Sequence, residues 1–458
     1  MSRPASSPVQ VAGGCKSTEQ KLHSTPSARR IRVTPAHWNG RPRLTDKIQV
    51  KNLSKVFGDD PDTALAMIRD GKTKDDVLAE TGQTIGVQSV DFTVGEGEVF
   101  VVMGLSGSGK STLVRMLNRL IEASDGEIFV DGEDMRRANE ATLRRLRLDK
   151  VAMVFQHFAL FPHKSVRENV EYGLKVAGVS ADERRKRALD ALDKVGLSAW
   201  ADRRPSALSG GMQQRVGLAR GLAVDPEILL MDEPFSALDP LIRRDMQNEL
   251  LELQRELKKT IVFITHDLDE ALILGDRIAI MKEGRFVQVG TAEEIVGNPA
   301  DDYVAAFTQD VDRARVFDVQ SVMKAPESLD PAQDGVADAR RRLDELGRDA
   351  LHVMRGSELA GIVTRRALAE IEGNGDARLE DVMRPDAPTA RPDTHLFTIY
   401  GACASGLPVA VIDGDGRFVG VVTPESVFDL LAQDNNTPQH EDAPADKEAA
   451  EAASVLSA

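Results

Sequence analysis

Residues 104–111 read Gly-Leu-Ser-Gly-Ser-Gly-Lys-Ser, a full match to G-x-x-x-x-G-K-[ST], and they follow the apolar, β-prone run Val99-Phe100-Val101-Val102-Met103. A buried strand that breaks into a glycine-rich loop and then a helix points to an α/β chain with the loop at the edge of its sheet. Such a loop aims successive backbone N–H groups at phosphate oxygens, helped by the N-terminus of the next helix, and only glycine lets the backbone approach so closely. Gly104, Gly107 and Gly109 supply that freedom, with Leu105, Ser106 and Ser108 between them. Lys110 is expected on the β- and γ-phosphates of ATP, the Ser111 hydroxyl on Mg²⁺, and Thr112 as a further phosphate contact opening a helix to Leu120. An accidental glycine-rich turn is the competing reading, and the downstream motifs weigh against it.

The run Ile228-Leu229-Leu230-Met231 is a second buried-strand pattern, and it ends in Asp232-Glu233. That puts two carboxylates at the C-terminal edge of a parallel sheet, where α/β ligand sites form. Asp232 suits the Mg²⁺ shell, and Glu233 suits a water, which it can polarise as general base. A third strand, Thr260 to Ile264, delivers Thr265-His266-Asp267 to the same edge. There His266 is expected to reach the γ-phosphate and Glu233, a purely structural histidine being the alternative. Leu208-Ser209-Gly210-Gly211-Met212 opens a helix running from Met212 to Ala223 and makes another N–H-rich terminus suited to phosphate. Ser209 is also a good N-cap, which the serine alone explains but the two glycines do not.

With Gln156 in Met153-Val154-Phe155-Gln156 and the run Ser236-Ala237-Leu238-Asp239, these strings stand in the order found in the nucleotide-binding subunit of an ABC transporter, which the chain resembles. The resemblance implies an ABC-type P-loop ATPase domain, a RecA-like core with a helical signature subdomain. It also implies a head-to-tail homodimer, in which ATP held at Lys110 is covered by Leu208, Ser209, Gly210, Gly211 and Met212 of the second copy, with Asp239 near the boundary. It implies that Gln156 contacts Mg²⁺ and the attacking water, and that Phe158 to His163, apolar for a connection, docks on a membrane subunit. Phe57 is the aromatic expected to stack on adenine.

The resemblance narrows to the ATPase of glycine betaine/proline betaine importers, over about residues 48–435. It rests on the segment from Gly58 to Gly86, which reads as two short helices, and on wording such as Leu117-Asn118-Arg119-Leu120 and Phe235 to Arg243. It rests also on an internal repeat: Val322-Met323-Lys324 recurs as Val382-Met383-Arg384, and Leu359 to Thr364 as Phe418 to Thr423, at a spacing of about sixty residues. Two such units look like an α/β CBS-domain pair. CBS pairs often hold adenine nucleotides through G-x-x-T-x-x-D, yet Ala367 and Ser426 stand where each repeat would carry the aspartate. The family's other role, ionic-strength sensing, needs charged faces whose attraction salt weakens, and Arg340, Arg341, Arg342 and Arg348 are the candidates. The competing reading is a solvated helix with Asp344, Glu345 and Asp349 interspersed.

The expected divisions are a disordered basic arm (1–46), the ATPase domain (47–310, with the helical insert at 59–86), CBS repeats at 311–376 and 377–435, and an acidic disordered tail (436–458). With 458 residues and 41% hydrophobic content the chain can build two substantial cores. No apolar stretch is long enough to span a bilayer, so the resemblance implies a separate transmembrane permease, an extracytoplasmic quaternary-amine-binding protein, and a peripheral place on the cytoplasmic face of the inner membrane. Two cysteines, Cys15 and Cys403, stand far apart, which argues for a reducing compartment and against zinc or a disulfide framework. Ala12-Gly13-Gly14-Cys15 lacks the apolar segment of an export signal. A net charge of −15 disfavours nucleic acid, although Arg29, Arg30, Arg32, Arg41 and Arg43 make the arm basic. Glu441, Asp442, Asp446, Glu448 and Glu451 make the tail acidic, a candidate competitor for a basic surface.

The function expected is therefore ATP hydrolysis that powers osmoprotectant import, with the CBS pair regulating it by ionic strength. The alternatives are the ATPase of another polar-solute importer, a CBS-based nucleotide or ligand sensor, and an ABC ATPase of DNA repair or translation. The last class tends to carry a long coiled coil or two fused ATPase modules, and this chain shows neither.

Overall fold

The computed structural model of the chain describes residues 46–156, 159–236, 238–371 and 377–432. The basic arm with Cys15, the acidic tail, Phe158 of the expected docking segment and Ala237 lie outside the described residues.

Strand β1 (Asp46–Phe57) leads into helices α1 (Pro61–Arg69) and α2 (Lys74–Thr81) and returns as β2 (Thr84–Gly95), its antiparallel partner. Asp60 caps α1 by accepting from the Thr63 amide (3.2 Å), and Thr73 and Asp76 form a capping box on α2. The two helices bury Ala64, Leu65, Ile68 and Val77 against Val56 and Ile85, a small core of their own. Next come β3 (Val99–Met103) and α3 (Lys110–Leu117), then β4 (Asp125–Val130) and β5 (Glu133–Asp134). The first sheet runs β2-β1-β4-β5.

The second sheet carries the chemistry. Helix α4 (Glu140–Asp149) precedes β6 (Val151–Val154); α5 (Val166–Val176), α6 (Ala181–Lys194) and α7 (Gly210–Ala223) form a helical lobe; then follow β7 (Ile228–Asp232), α8 (Pro240–Leu257), β8 (Thr260–Thr265), α9 (Leu268–Leu274), β9 (Arg277–Lys282) and β10 (Arg285–Gly290). The order is β10-β9-β3-β8-β7-β6, parallel except for β10. Every residue of β3, β7 and β8 is buried, as strands covered on both faces must be. Phe92 of the first sheet stacks on Phe100 of the second at 5.1 Å between centroids, inside one apolar layer. The opposite face packs against the helical lobe, α8 and α9. Asn169, fully buried in α5, holds the connection after β6 by accepting from the Phe161 amide (2.7 Å) and donating to the Ser165 carbonyl (2.9 Å). Phe161 of the expected docking segment is half-buried, its ring 4.6 Å from that of Tyr172.

Helices α10 (Ala292–Gly297), α11 (Asp302–Thr308) and α12 (Arg313–Val316) lead away from the second sheet. The next unit contains β11 (Ser328–Leu329), α13 (Val336–Leu346), β12 (Ala350–Arg355), β13 (Glu358–Thr364) and α14 (Arg365–Glu370). The last contains α15 (Leu379–Val382), β14 (Thr389–Ala390), α16 (Tyr400–Cys403), β15 (Val409–Ile412), β16 (Phe418–Val422) and α17 (Pro424–Ala432). Each unit holds a sheet with the same parallel-then-antiparallel order, β11-β12-β13 and β14-β15-β16. The repeated Val-Met tripeptides cross over: Lys324 bridges to Val421 of the second sheet and Arg384 to Ile362 of the first. Gly361 and Gly420 make room for the crossing, since a Cβ on Gly361 would stand 2.2 Å from the Arg384 carbonyl and one on Gly420 3.0 Å from that of Lys324. The second unit shares its core with α10 and α12 through Val296, Ala314, Val316 and Phe317. Among the described residues no helix is long and apolar enough to cross a membrane.

The four arginines expected on a basic face, three on α13 and Arg348 just beyond it, each have a partner. Arg340 donates to the Leu368 carbonyl (2.6 Å), Arg341 pairs with Asp338 (2.7 Å), Arg342 donates to the Ser328 carbonyl (2.8 Å), and Arg348 pairs with Glu327 (3.0 Å). All four contacts lie within the first repeat, while the Arg341 side chain stays largely exposed. Ser426 folds back on its own turn, donating to the Thr423 carbonyl (2.8 Å), and Thr364 caps α14 by accepting from the Ala367 amide (3.1 Å).

His352 of β12 is 1% exposed and lies between the repeats, its ring edge-on to Phe418 at 5.4 Å. Burial pushes its pKa from 6.5 down to about 4, against the pull of the Pro408 carbonyl. The folded state therefore favours the neutral ring while the unfolded chain takes up a proton near 6.5, so stability is lost as pH falls from about 6.5 to 4. The expected loss for the CBS pair is roughly 3 kcal/mol by pH 4, and His352→Leu removes that share of the pH slope in scanning calorimetry of the full chain.

Candidate functional site

The loop from Gly104 to Gly109 leaves β3 at the carboxyl edge of the second sheet and closes into α3, whose N-cap is Gly109. Two close approaches fix its path. A Cβ on Gly104 (φ 153°) would stand 2.1 Å from the Met281 carbonyl, and one on Gly109 (φ 107°) 2.2 Å from the Gly86 carbonyl. Neither position tolerates a side chain. Leu105, Ser106 and Gly107 are exposed at the rim, with open space where a Gly107 side chain would lie.

Lys110 is 4% exposed, and its ammonium donates to the carbonyls of Gly104 (2.8 Å) and Leu105 (3.1 Å). Burial pulls its pKa down, countered by the Glu233 carboxylate 3.7 Å away. Ser111 donates to Asp232 Oδ1 (2.7 Å), and Arg115 donates to Asp232 Oδ2 (3.1 Å). Glu233, just past the end of β7, holds a left-handed backbone (φ 46°), with its amide donating to the Ile264 carbonyl (3.0 Å). Such a conformation in a residue with a side chain costs energy and is commonly found where a group must be aimed. His266 Nδ1 lies 3.1 Å from Glu233 Oε2. Its loop is held by Arg243 of α8 on Asp267 (3.0 Å) and by Thr265 donating to the buried Glu270 (2.6 Å).

The remaining expected residues fall into two groups. Gln156 joins the phosphate loop's neighbourhood through Ser236: its Nε2 lies 3.4 Å from Ser236 Oγ, which donates to the Glu233 carbonyl (3.1 Å). The Phe57 ring and the Thr112 methyl flank Gly86, lying 2.8 and 3.4 Å from a Cβ placed there, so the aromatic borders the loop's end. The signature stands elsewhere, and no hydrogen bond or ion pair joins 208–212 to 104–112 among the described residues. The signature helix begins at Gly210, two residues before the expected Met212, because Ser209 caps it by accepting from the Met212 amide (3.3 Å). Leu208 is buried, and Gly211 packs on α8, where a Cβ would come 2.5 Å from Ile242 Cγ2. Asp239 caps α8 by accepting from the Ile242 amide (3.1 Å), so signature and Asp239 form one cluster. A Cβ placed on Gly210 would meet nothing beyond its own helix within 4 Å.

Gly86, Arg115 and Met281 contribute to the site although no sequence pattern marks them. Gly86 faces Phe57, Thr112 and Gly109 at once, which only the folded chain reveals.

The residues fit a magnesium nucleotide. The Ser108 hydroxyl is buried without a hydrogen-bond partner, the loop glycines leave a cradle that side chains would fill, and Ser111 and Asp232 offer paired oxygen donors to a hard cation.

Comparison with known proteins gives the same direction. The sequence model of the ABC transporter family matches residues 87–236, and that of the CBS domain matches residues 379–433. The chain is 48% identical over 388 residues to a glycine betaine/carnitine transport ATP-binding protein of Listeria monocytogenes, covering 84% of this chain and 98% of that one. It is 46% identical over 393 residues to a glycine betaine/proline betaine transport system ATP-binding protein of Salmonella typhimurium, covering 84% and 97%. A trimethylamine N-oxide transport system ATP-binding protein of Ruegeria pomeroyi is 47% identical over 328 residues, covering 71% and 96%.

Gly109→Ala tests the cradle. The clash with the Gly86 carbonyl should weaken binding of a fluorescent ATP analogue by about ten- to a hundredfold with the fold retained by circular dichroism, as strain of about 1–3 kcal/mol implies.

Proposed function

This chain belongs to the ATP-binding subunits of ABC transporters, and from that premise we propose that it hydrolyses ATP to drive import of glycine betaine or proline betaine through a separate membrane permease. The observation that carries the chemistry is the placing of Glu233 between Lys110 (3.7 Å) and His266 (3.1 Å), beside the Ser111–Asp232 pair.

Lys110 binds the β- and γ-phosphates; its ammonium, already out of water, exchanges carbonyl partners for phosphate oxygens at little desolvation cost. Ser111, Asp232 and Gln156 would hold Mg²⁺, which would neutralise charge on the phosphate oxygens. Glu233 polarises a water and takes its proton as the oxygen attacks the γ-phosphorus and the bond to ADP breaks. His266 keeps the Glu233 carboxylate aimed and contacts the γ-phosphate. Phe57 stacks on the adenine. Two copies close head to tail, with Ser209, Gly210 and Gly211 of one copy capping the phosphates held by the other and Asp239 at the seam. Gly210 supports this reading, because nothing beyond its own helix crowds it and the adjacent Ser209 is exposed.

The chain acts at the cytoplasmic face of the inner membrane, with a quaternary-amine-binding protein delivering solute on the far side. The CBS pair regulates turnover in response to ionic strength, and salt weakens exposed ion pairs of the kind Arg341 makes with Asp338. A second reading, import of another small polar solute, is favoured by the relative named for trimethylamine N-oxide transport.

Reconstitution in vesicles with the neighbouring permease and binding protein separates these. Glycine betaine should raise ATP hydrolysis, more so as internal salt rises; stimulation by another solute alone would keep the ATPase and discard betaine. In the same assay Glu233→Gln should cut turnover at least about a hundredfold while retaining ATP and accumulating dimer on gel filtration. Normal turnover in that variant would overturn the general-base role. Ser209→Ala should lower turnover roughly five- to tenfold without weakening nucleotide binding to the monomer.

A further inference from the structure

One guanidinium joins the signature cluster to the loop that carries His266. Arg243 lies on the first turn of α8, where its amide donates to the carbonyl of the cap residue Asp239 (2.9 Å). Its Nη2 donates to the carbonyl of Leu238 (3.3 Å), the residue before Asp239. Its Nη1 donates to Oδ2 of Asp267 (3.0 Å), the residue after His266, and its Nε lies 3.7 Å from Glu270 Oε1. One planar fork thus grips two stretches that both lead to Glu233. The first follows Glu233 in the chain, and the second reaches it through His266 at 3.1 Å.

Both stretches are stiff where the fork holds them. Asp267 caps α9 by accepting from the Glu270 amide (3.2 Å), its own amide donates to Thr265 Oγ1 (3.0 Å), and the Thr265 hydroxyl donates to Glu270 (2.6 Å). Glu270 is 4% exposed and also accepts from Gln247 (3.3 Å), one turn along α8 from Arg243. His266 therefore stands between two fixed residues. On the other side Leu238 is buried, and a Cβ on Gly211 would come 3.9 Å from Leu238 Cδ2 and 2.5 Å from Ile242 Cγ2. The carbonyl that Arg243 holds thus belongs to the segment on which the signature packs. A lysine could not replace the fork, because an ammonium is a point donor whereas a guanidinium offers several donors in one rigid plane.

We propose that Arg243 is a positioning residue for ATP hydrolysis. It locks the loop carrying His266 to the segment that ends in Asp239, so that meeting the second copy at Asp239 and the signature also sets the aim of His266 on Glu233. The aiming of His266 follows from the contacts of Arg243 within one chain, while its coupling to the second copy rests on the head-to-tail reading given above.

Arg243→Met in the full chain keeps much of the apolar stem and removes the fork. Basal ATP hydrolysis by the reconstituted complex, read without solute, should lose about tenfold in kcat with KM for ATP unchanged, and amide hydrogen exchange at 265–267 should quicken. Arg243→Met should also lower the melting transition. Arg243→Lys should restore that transition, since its charge still faces Asp267, yet leave kcat low, since one ammonium cannot also span to the Leu238 carbonyl. Turnover that tracks the melting transition through both variants would overturn the positioning role. In a His266→Ala background Arg243→Met should cost nothing further, whereas losses that multiply would overturn the aiming of His266. The coupling is read in Glu233→Gln, where ATP should produce a dimer on gel filtration and slow exchange at 265–267. Adding Arg243→Met should leave the dimer and abolish the slowing. Equal slowing in both, or loss of the dimer with ATP still bound, would overturn the coupling. Failure of Glu233→Gln itself to dimerise would discard the head-to-tail reading and the coupling with it, and the His266 comparison would still decide the aiming.

Discussion

The ammonium of Lys110, withdrawn from water and ringed by the carbonyls of its own loop, is the charge on which the rest of this molecule depends. A buried cation survives only if carbonyl oxygens or a carboxylate surround it, and here both do, with Glu233 completing the ring. The carbonyls are in reach because the loop doubles back tightly, and it can double back only because Gly104 and Gly109 pass within a side chain's width of Met281 and Gly86. The carboxylate is in reach because β7 lies one strand beyond β8, next to β3, so that all three strand ends present their polar residues at one edge. The buried strands exist to bring three short polar segments to this one place.

Much of that was legible in the sequence, for a physical reason. Phosphate binding by backbone amides needs glycines at set spacing, metal binding needs oxygen at a strand end, and both requirements are local, so Gly104 to Thr112, Asp232, Glu233 and His266 could be named from short strings. The strands that carry them are apolar runs of the length buried parallel strands require. What stayed hidden is whatever depends on chain segments meeting from far apart. Gly86 is unremarkable in its own neighbourhood and becomes necessary only when Phe57, Thr112 and Gly109 converge on it. Arg115, on the second turn of α3, reads as a solvated helical residue until its guanidinium is found on Asp232.

The arginines of α13, with Arg348 just beyond it, show the same limit from the other side. Four basic residues within nine positions invite a reading as one charged face, yet two of them spend their donors on backbone carbonyls and two on carboxylates from their own repeat. Charge counted along a helix says how many cations are present and nothing about how many remain to act at a distance. The shift of the signature helix start to Gly210 has a similar origin: a cap residue's side chain, and not the apolar pattern behind it, decides where a helix begins.

The reciprocal bridges of the CBS pair, Lys324 on Val421 and Arg384 on Ile362, carry a consequence for how such a module can report anything. Each unit borrows from the other a segment that extends its own sheet edge. Each therefore draws part of its stability from the other. A change that loosens either unit is felt at the sheet edge of its twin.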